Sequence, residues 1–124
     1  MANHTNYHKG LLYLMHLLIS ADGVVDDREK TQLELVRNGE GVPDELYEEF
    51  KNEIKAKRER EIYQRGIELI NLCTDEEKLR VFTHLYKMSQ VDGTVHVKEV
   101  RLLLYSLKMV SIEFDDVIKA ATMN

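Results

Sequence analysis

Six residues have the side-chain types and spacing for cation chemistry. Asp22, Asp26 and Glu29 lie in "SADGVVDDRE", residues 20–29, and Asp92, His96 and Glu99 lie in "QVDGTVHVKE", residues 90–99. The two stretches are in register: Asp22 matches Asp92, Gly23 matches Gly93, Val25 matches Val95 and Glu29 matches Glu99. Asp-Gly followed after five residues by Glu is the second half of a helix–loop–helix calcium loop. The first half is missing. Leu18 and Met88 stand where the leading Asp belongs, and Ser20 and Gln90 stand in the middle. Calcium takes about six to eight oxygens, so two independent high-affinity loops are excluded. One site shared between the loops and completed by water is the cation reading. Calcium, magnesium or manganese would suit it.

Turn chemistry offers a second reading of the same residues. Gly23 and Gly93 supply the left-handed residue that ends a helix. Asp26 with Glu29 forms a capping box for the next helix. In the second copy His96 occupies the capping position and is a poor cap. Capping also gives no role to Asp22 and Asp92, which precede the glycines. Both readings therefore stand at this point.

The elements that position these loops are helices. Proline occurs once, at Pro43, and the six glycines sit at 10, 23, 39, 41, 66 and 93, leaving long stretches without breakers. Leu11, Leu14, Met15, Leu18 and Ile19 follow the three-four rhythm of a buried helical stripe, as do Val100, Leu103, Leu104 and Leu107, and then Phe114, Val117, Ile118 and Ala121. Caps and breakers predict helices over about 5–21, 27–38, 44 onward, 60–72, 75–90, 97–109 and 113–122. Thr74 with Glu77 is a capping box. Residues 55–61 hold no large apolar group, so the third helix either continues there on the surface or bends. Glu53–Lys57 and Glu61–Arg65 have the spacing of helical ion pairs. The expected fold is all-α: one domain over 1–124, a bundle of about seven helices built on two helix–loop–helix repeats.

Composition narrows the function. The net charge of −5 and pI near 5.5 oppose general binding to nucleic acid or anionic membranes, and suit cations or basic partners. The basic run at 51–61 is interleaved with Glu53, Glu59 and Glu61 and contains no aromatic for base stacking, so it reads as a solvated helix face. Cys73 is the only cysteine. It reads as a small core residue in a reducing, cytoplasmic setting. The apolar run at 11–21 is interrupted by His16 and leads into the Asp22 register, so it reads as a core helix and not a secretory leader. It is also too short to span a membrane. His4 and His8 read as a disordered or merely exposed terminal pair, His16 and His84 as partly buried and hydrogen-bonded, and Tyr7, Tyr13, Tyr86 and Tyr105 as core edges.

The two Asp-Gly loops with their flanking helices resemble the TerB-like family, named for tellurite resistance and found also as a domain of DjlA-type co-chaperones. The resemblance implies an all-helical domain, a divalent-metal site, and a stress-response role through protein partners. The family's acidic loop residues map onto Asp22, Glu29, Asp92 and Glu99. No His-Pro-Asp occurs, so no J-domain activity is expected. The function expected first is a non-enzymatic interaction module whose acidic loop patch binds a divalent cation or a basic partner. A metal-dependent hydrolase using the same carboxylates and a purely structural helical scaffold are the alternatives.

Overall fold

The computed structural model describes residues 4–20, 27–90 and 97–122, the side chains of His4, Val97 and Glu99 aside. Its regular elements are seven α-helices: α1 His4–Ser20, α2 Asp27–Gly39, α3 Asp44–Ala56, α4 Glu59–Asn71, α5 Asp75–Ser89, α6 Val97–Val110 and α7 Phe114–Thr122. Strand is absent among the described residues. The expected all-α architecture is therefore observed, with boundaries within a residue or two of those expected.

The local causes are visible at the helix ends. Thr74 accepts from the Glu77 amide at 3.1 Å, and the Glu77 carboxylate accepts from the Thr74 amide at 2.9 Å, completing the capping box. α2 ends in a Schellman motif: Val42 donates to the Arg37 carbonyl and Gly41 to that of Asn38, with Gly41 at φ 67°. α6 ends the same way, with Ile112 donating to Leu107 and Ser111 to Lys108. There the left-handed residue is Ser111, at φ 61°. The ambiguous stretch at 55–61 bends. Lys57 and Arg58 are extended, separating α3 from α4. All seven residues from Lys55 to Glu61 are exposed, so no burial resists the break. Glu53 does pair with Lys57 at 3.7 Å. Arg65 pairs with Glu68 at 3.2 Å and not with Glu61; both spacings put the groups on one helix face.

α1 is the central helix and packs against α2, α3, α4, α5 and α6. Its Leu11, Leu12, Tyr13, Leu14, Met15, Leu17, Leu18 and Ile19 are all buried, more than one stripe's worth, as expected of a helix surrounded by others. Residues 11–20 are thus core helix. α4 makes the closest approach: Gly66 lies against Tyr13 and Leu14 of α1, and Gly10 of α1 lies against Ile70. Phe50 from α3, Phe82 from α5, Leu103 and Leu107 from α6 and Val117 from α7 fill the rest of the core. Leu104, read as part of the α6 stripe, is exposed, since its neighbour Leu103 takes the inward direction. Tyr7 and Tyr13 are buried, Tyr86 is half-buried, and Tyr105 lies outward instead of on a core edge.

Candidate functional site

The Asp-Gly segments are bounded by four helix ends, and the contacts between helices fix where three of those ends lie. Gly10 meets Ile70, and Gly66 meets Tyr13 and Leu14. Leu17 shares a cavity wall with Glu59 and Tyr63. Advancing along α1 therefore retraces α4, so the two are antiparallel. α5 starts beside Tyr7 and His8, near the start of α1, where Thr74 and Glu77 line the same cavity. It also packs against α1. α2 ends beside Tyr7, at Glu40, and so runs against α1. α6 begins near Leu17, with Lys98 and Arg101. The end of α1 and the starts of α2 and α6 thus belong to one end of the bundle.

Of the six expected site residues, Glu29 alone has a described side chain. It sits in the first turn of α2 and is only 2% exposed. Asp27 beside it is exposed and adds a second carboxylate to that turn. Negative charge there complements the helix dipole. A carboxylate buried this far is costly unless partnered, and capping does not require such burial. Asp22, Asp26, Asp92 and His96 lie outside the described residues, as do Val25 and Val95, and so does the side chain of Glu99. Among the described residues no cluster of three or more His, Cys, Asp or Glu is arranged to hold a metal.

The described residues contain a second polar centre that the sequence did not announce. Glu40 closes α2, and its carboxylate is almost entirely enclosed. Its Oε2 accepts from the Tyr7 hydroxyl at 2.8 Å, lies 2.6 Å from His84 Nε2, and pairs with Arg80 Nε at 3.0 Å. His8 Nε2 lies 3.1 Å from the Glu40 backbone carbonyl. Burial alone would raise the Glu40 pKa, but the bonds from His84 and Tyr7 and the Arg80 charge outweigh it and hold it low. An anion at a helix C-terminus opposes the dipole, and these partners offset that. Burial and the adjacent carboxylate push the Tyr7 phenol up, so it remains a donor. Glu40 thereby joins α1, α2 and α5. It also borders a cavity of about 840 Å³ whose wall includes Glu76, Glu77, Arg80, Thr83 and Ala120. Tyr7 and His84 are 33 and 44 residues away along the chain. The local signal was the isolated acid in "NGEGVP", between two glycines.

The remaining histidines and the cysteine fall out as follows. His8 is half-buried and bonded, not merely exposed, because Glu40 comes to it. His84 is partly buried and hydrogen-bonded as expected. His16 is half-buried with its ring edge-on to Phe50, 6.1 Å between centroids. The Cys73 thiol is set 3.4 Å from the Leu69 carbonyl, and burial pushes its pKa up to about 11. It is a poor nucleophile at neutral pH. No described helix is long and apolar enough to cross a membrane.

Comparison with known proteins agrees with this architecture. The family model described as "Tellurite resistance protein TerB" matches residues 8–122, nearly the whole chain. No curated protein and no solved structure matches it. With all seven helices inside or at the edges of the matched span, the chain belongs to the TerB tellurite resistance family.

Proposed function

We propose that the chain is a non-catalytic interaction module of the stress response, whose acidic Asp-Gly region takes up a divalent cation or a basic partner surface. The observation that carries this reading is the gathering of the end of α1 and the starts of α2 and α6 at one end of the bundle, with the Glu29 carboxylate buried there. Family membership supports the stress-response role. Asp22, Asp26, Glu29, Asp92 and Glu99 would supply hard oxygen donors, and His96 a nitrogen. That donor set fits calcium, magnesium or manganese. Carboxylates held near one another repel, and a cation or a cationic side chain relieves the repulsion. A protein partner of basic surface would use the same electrostatics. The lone cysteine suits a cytoplasmic setting.

The test is thermal unfolding with each of the three ions, on the wild-type chain and on Asp22→Asn combined with Asp92→Asn. Each effective ion should raise the melting temperature of the wild type, and the double variant should fold but lose the rise. An equal rise in the double variant would remove the Asp-Gly region from cation binding. Hydrolase substrates screened with manganese should show no turnover; turnover that the double variant loses would favour the enzyme reading instead.

A further inference from the structure

The chain is acidic overall, yet one groove on it is basic. A cavity of about 420 Å³ between α4 and α6 is lined by Arg60, Lys98 and Arg101 over an apolar floor of Leu17 and Leu102, with Tyr63 at its side. Among the described residues Glu59 is the one carboxylate on this wall. Among the described residues none of the three cations has an ion-pair partner, and they stand together on one wall.

The groove continues past the cations. α4 and α6 run parallel: the Tyr63 and Tyr105 rings are 6.2 Å apart, Ser106 Oγ is 3.2 Å from the Tyr63 hydroxyl, and Asn71 donates to the Met109 carbonyl at 3.5 Å. Lys98, Arg101, Tyr105 and Met109 recur at helical spacing and so share one face of α6. Tyr105 is 58% exposed and Met109 47%, and Leu72, next to Asn71, is 69% exposed. The face thus has a basic end and an apolar end, about 16 Å or three helical turns in all.

We propose that this face docks an acidic amphipathic helix of a protein partner. Helix-in-groove recognition uses anchors at such spacing. Arg, Tyr and Met are the residue types that interface centres favour. The complementary helix carries Asp or Glu in the turn opposite Arg60 and Arg101. It carries large apolar side chains about two turns further on, against Tyr105 and Met109. Charge complementarity selects the occupant: three cations without ion-pair partners, gathered on one wall, attract a short acidic segment, while the chain's net charge of −5 disfavours long polyanions such as nucleic acid. The proposal is independent of the Asp-Gly reading, which concerns the opposite charge.

The experiment is selection of helical peptides from a randomised display library on the full chain, followed by fluorescence anisotropy with the enriched peptides. Enriched sequences should place acidic residues at one end and aliphatic or aromatic residues two turns away. Arg60→Glu with Arg101→Glu should weaken their binding at least about 30-fold and Tyr105→Ala about 10-fold. Leu35→Ser, at an exposed apolar position on α2, should leave binding unchanged. Amide shifts in the wild type should fall at 60–63 and 98–109. Absence of enrichment, enrichment of non-acidic peptides, affinities indifferent to the groove variants, or shifts confined elsewhere would each overturn the proposal. So would binding to phosphatidylserine vesicles that the same groove variants abolish, since that would assign the face to a membrane surface.

Discussion

Gly10 of α1 and Ile70 of α4 approach so closely that a Cβ on Gly10 would stand 2.5 Å from Ile70 Cδ1 and 2.9 Å from Cγ1. Ile70 is fully buried, so it has little room to turn away. Gly10→Ala gains roughly 1 kcal/mol of helix propensity, but overpacking costs about 1–3 kcal/mol. The expected result is net destabilisation of up to about 2 kcal/mol. Gly39→Ala is the contrast, since its Cβ would meet nothing within 4 Å. It should be neutral or slightly stabilising. Urea midpoints of the two variants measure the difference; equal midpoints would show that α1 and α4 are not in this contact.

Three leucines, one in α1 and two in α6, test which helix faces form the core. Leu18 and Leu103 are buried, and each change to Ala should cost about 2–5 kcal/mol. Leu104→Ala, at a position 43% exposed, should cost no more than about 0.5 kcal/mol. Equilibrium unfolding of all three reads the outcome, and a costly Leu104→Ala would reverse the facing of α6.

These leucines also show how far the sequence could be read. Pro43, the Thr74–Glu77 box and the helical apolar spacing were local signals, and they located the helices. Leu103 and Leu104 are adjacent and equally apolar, so only packing could choose between them. The break at Lys57–Arg58 falls in an exposed polar run with no periodicity to interrupt. The Glu40 centre joins residues far apart in the chain, and nothing local marks His84 or Arg80 as its partners. Of the Asp-Gly region, Glu29 could be singled out from its register with Glu99, but its burial depends on how α2 seats against the bundle.

Glu40 predicts an acid dependence. Its folded pKa is held below the ordinary 4.5, so the unfolded chain binds the proton more readily. The stability that its charge contributes is complete above about pH 4.5 and is lost as pH falls through the lower folded value. Glu40→Gln keeps the size and an acceptor for Tyr7 but loses the charge. At neutral pH it should cost about 1–3 kcal/mol, and the cost should shrink at pH 3. Urea titrations of both proteins at the two pH values measure this. A penalty that does not change with pH would mean that shape, not charge, is what Glu40 provides.

His16 predicts a separate window. Burial lowers its pKa from 6.5, with the Glu59 charge opposing the shift. A base with a depressed folded pKa is neutral in the fold and protonates first when unfolded, so its stability contribution is lost as pH falls below about 6.5. His16→Leu removes the titration and retains an apolar contact for Phe50. The variant should lose less stability than wild type between pH 7 and pH 5. Parallel slopes over that range would exclude His16 from the pH response.

Glu29→Gln separates the two readings of the acidic loops. Gln has nearly the same volume and can still serve in a capping box, so a turn role predicts only a small change in stability. It lacks the charge that a hard divalent cation requires. If Glu29 contributes to cation uptake, the variant should retain most of its ion-free melting temperature and lose much of the rise caused by calcium, magnesium or manganese. Linkage gives the scale: an ion present at 100 times its dissociation constant stabilises by about 2.7 kcal/mol, and a tenfold weaker site loses about half of that. Thermal scans with and without each ion, on wild type and variant, yield both quantities together. A full ion-induced rise in the variant would leave Glu29 as a buried capping residue. Loss of ion-free stability together with the rise would show that the carboxylate holds α2 against the bundle before any ion arrives.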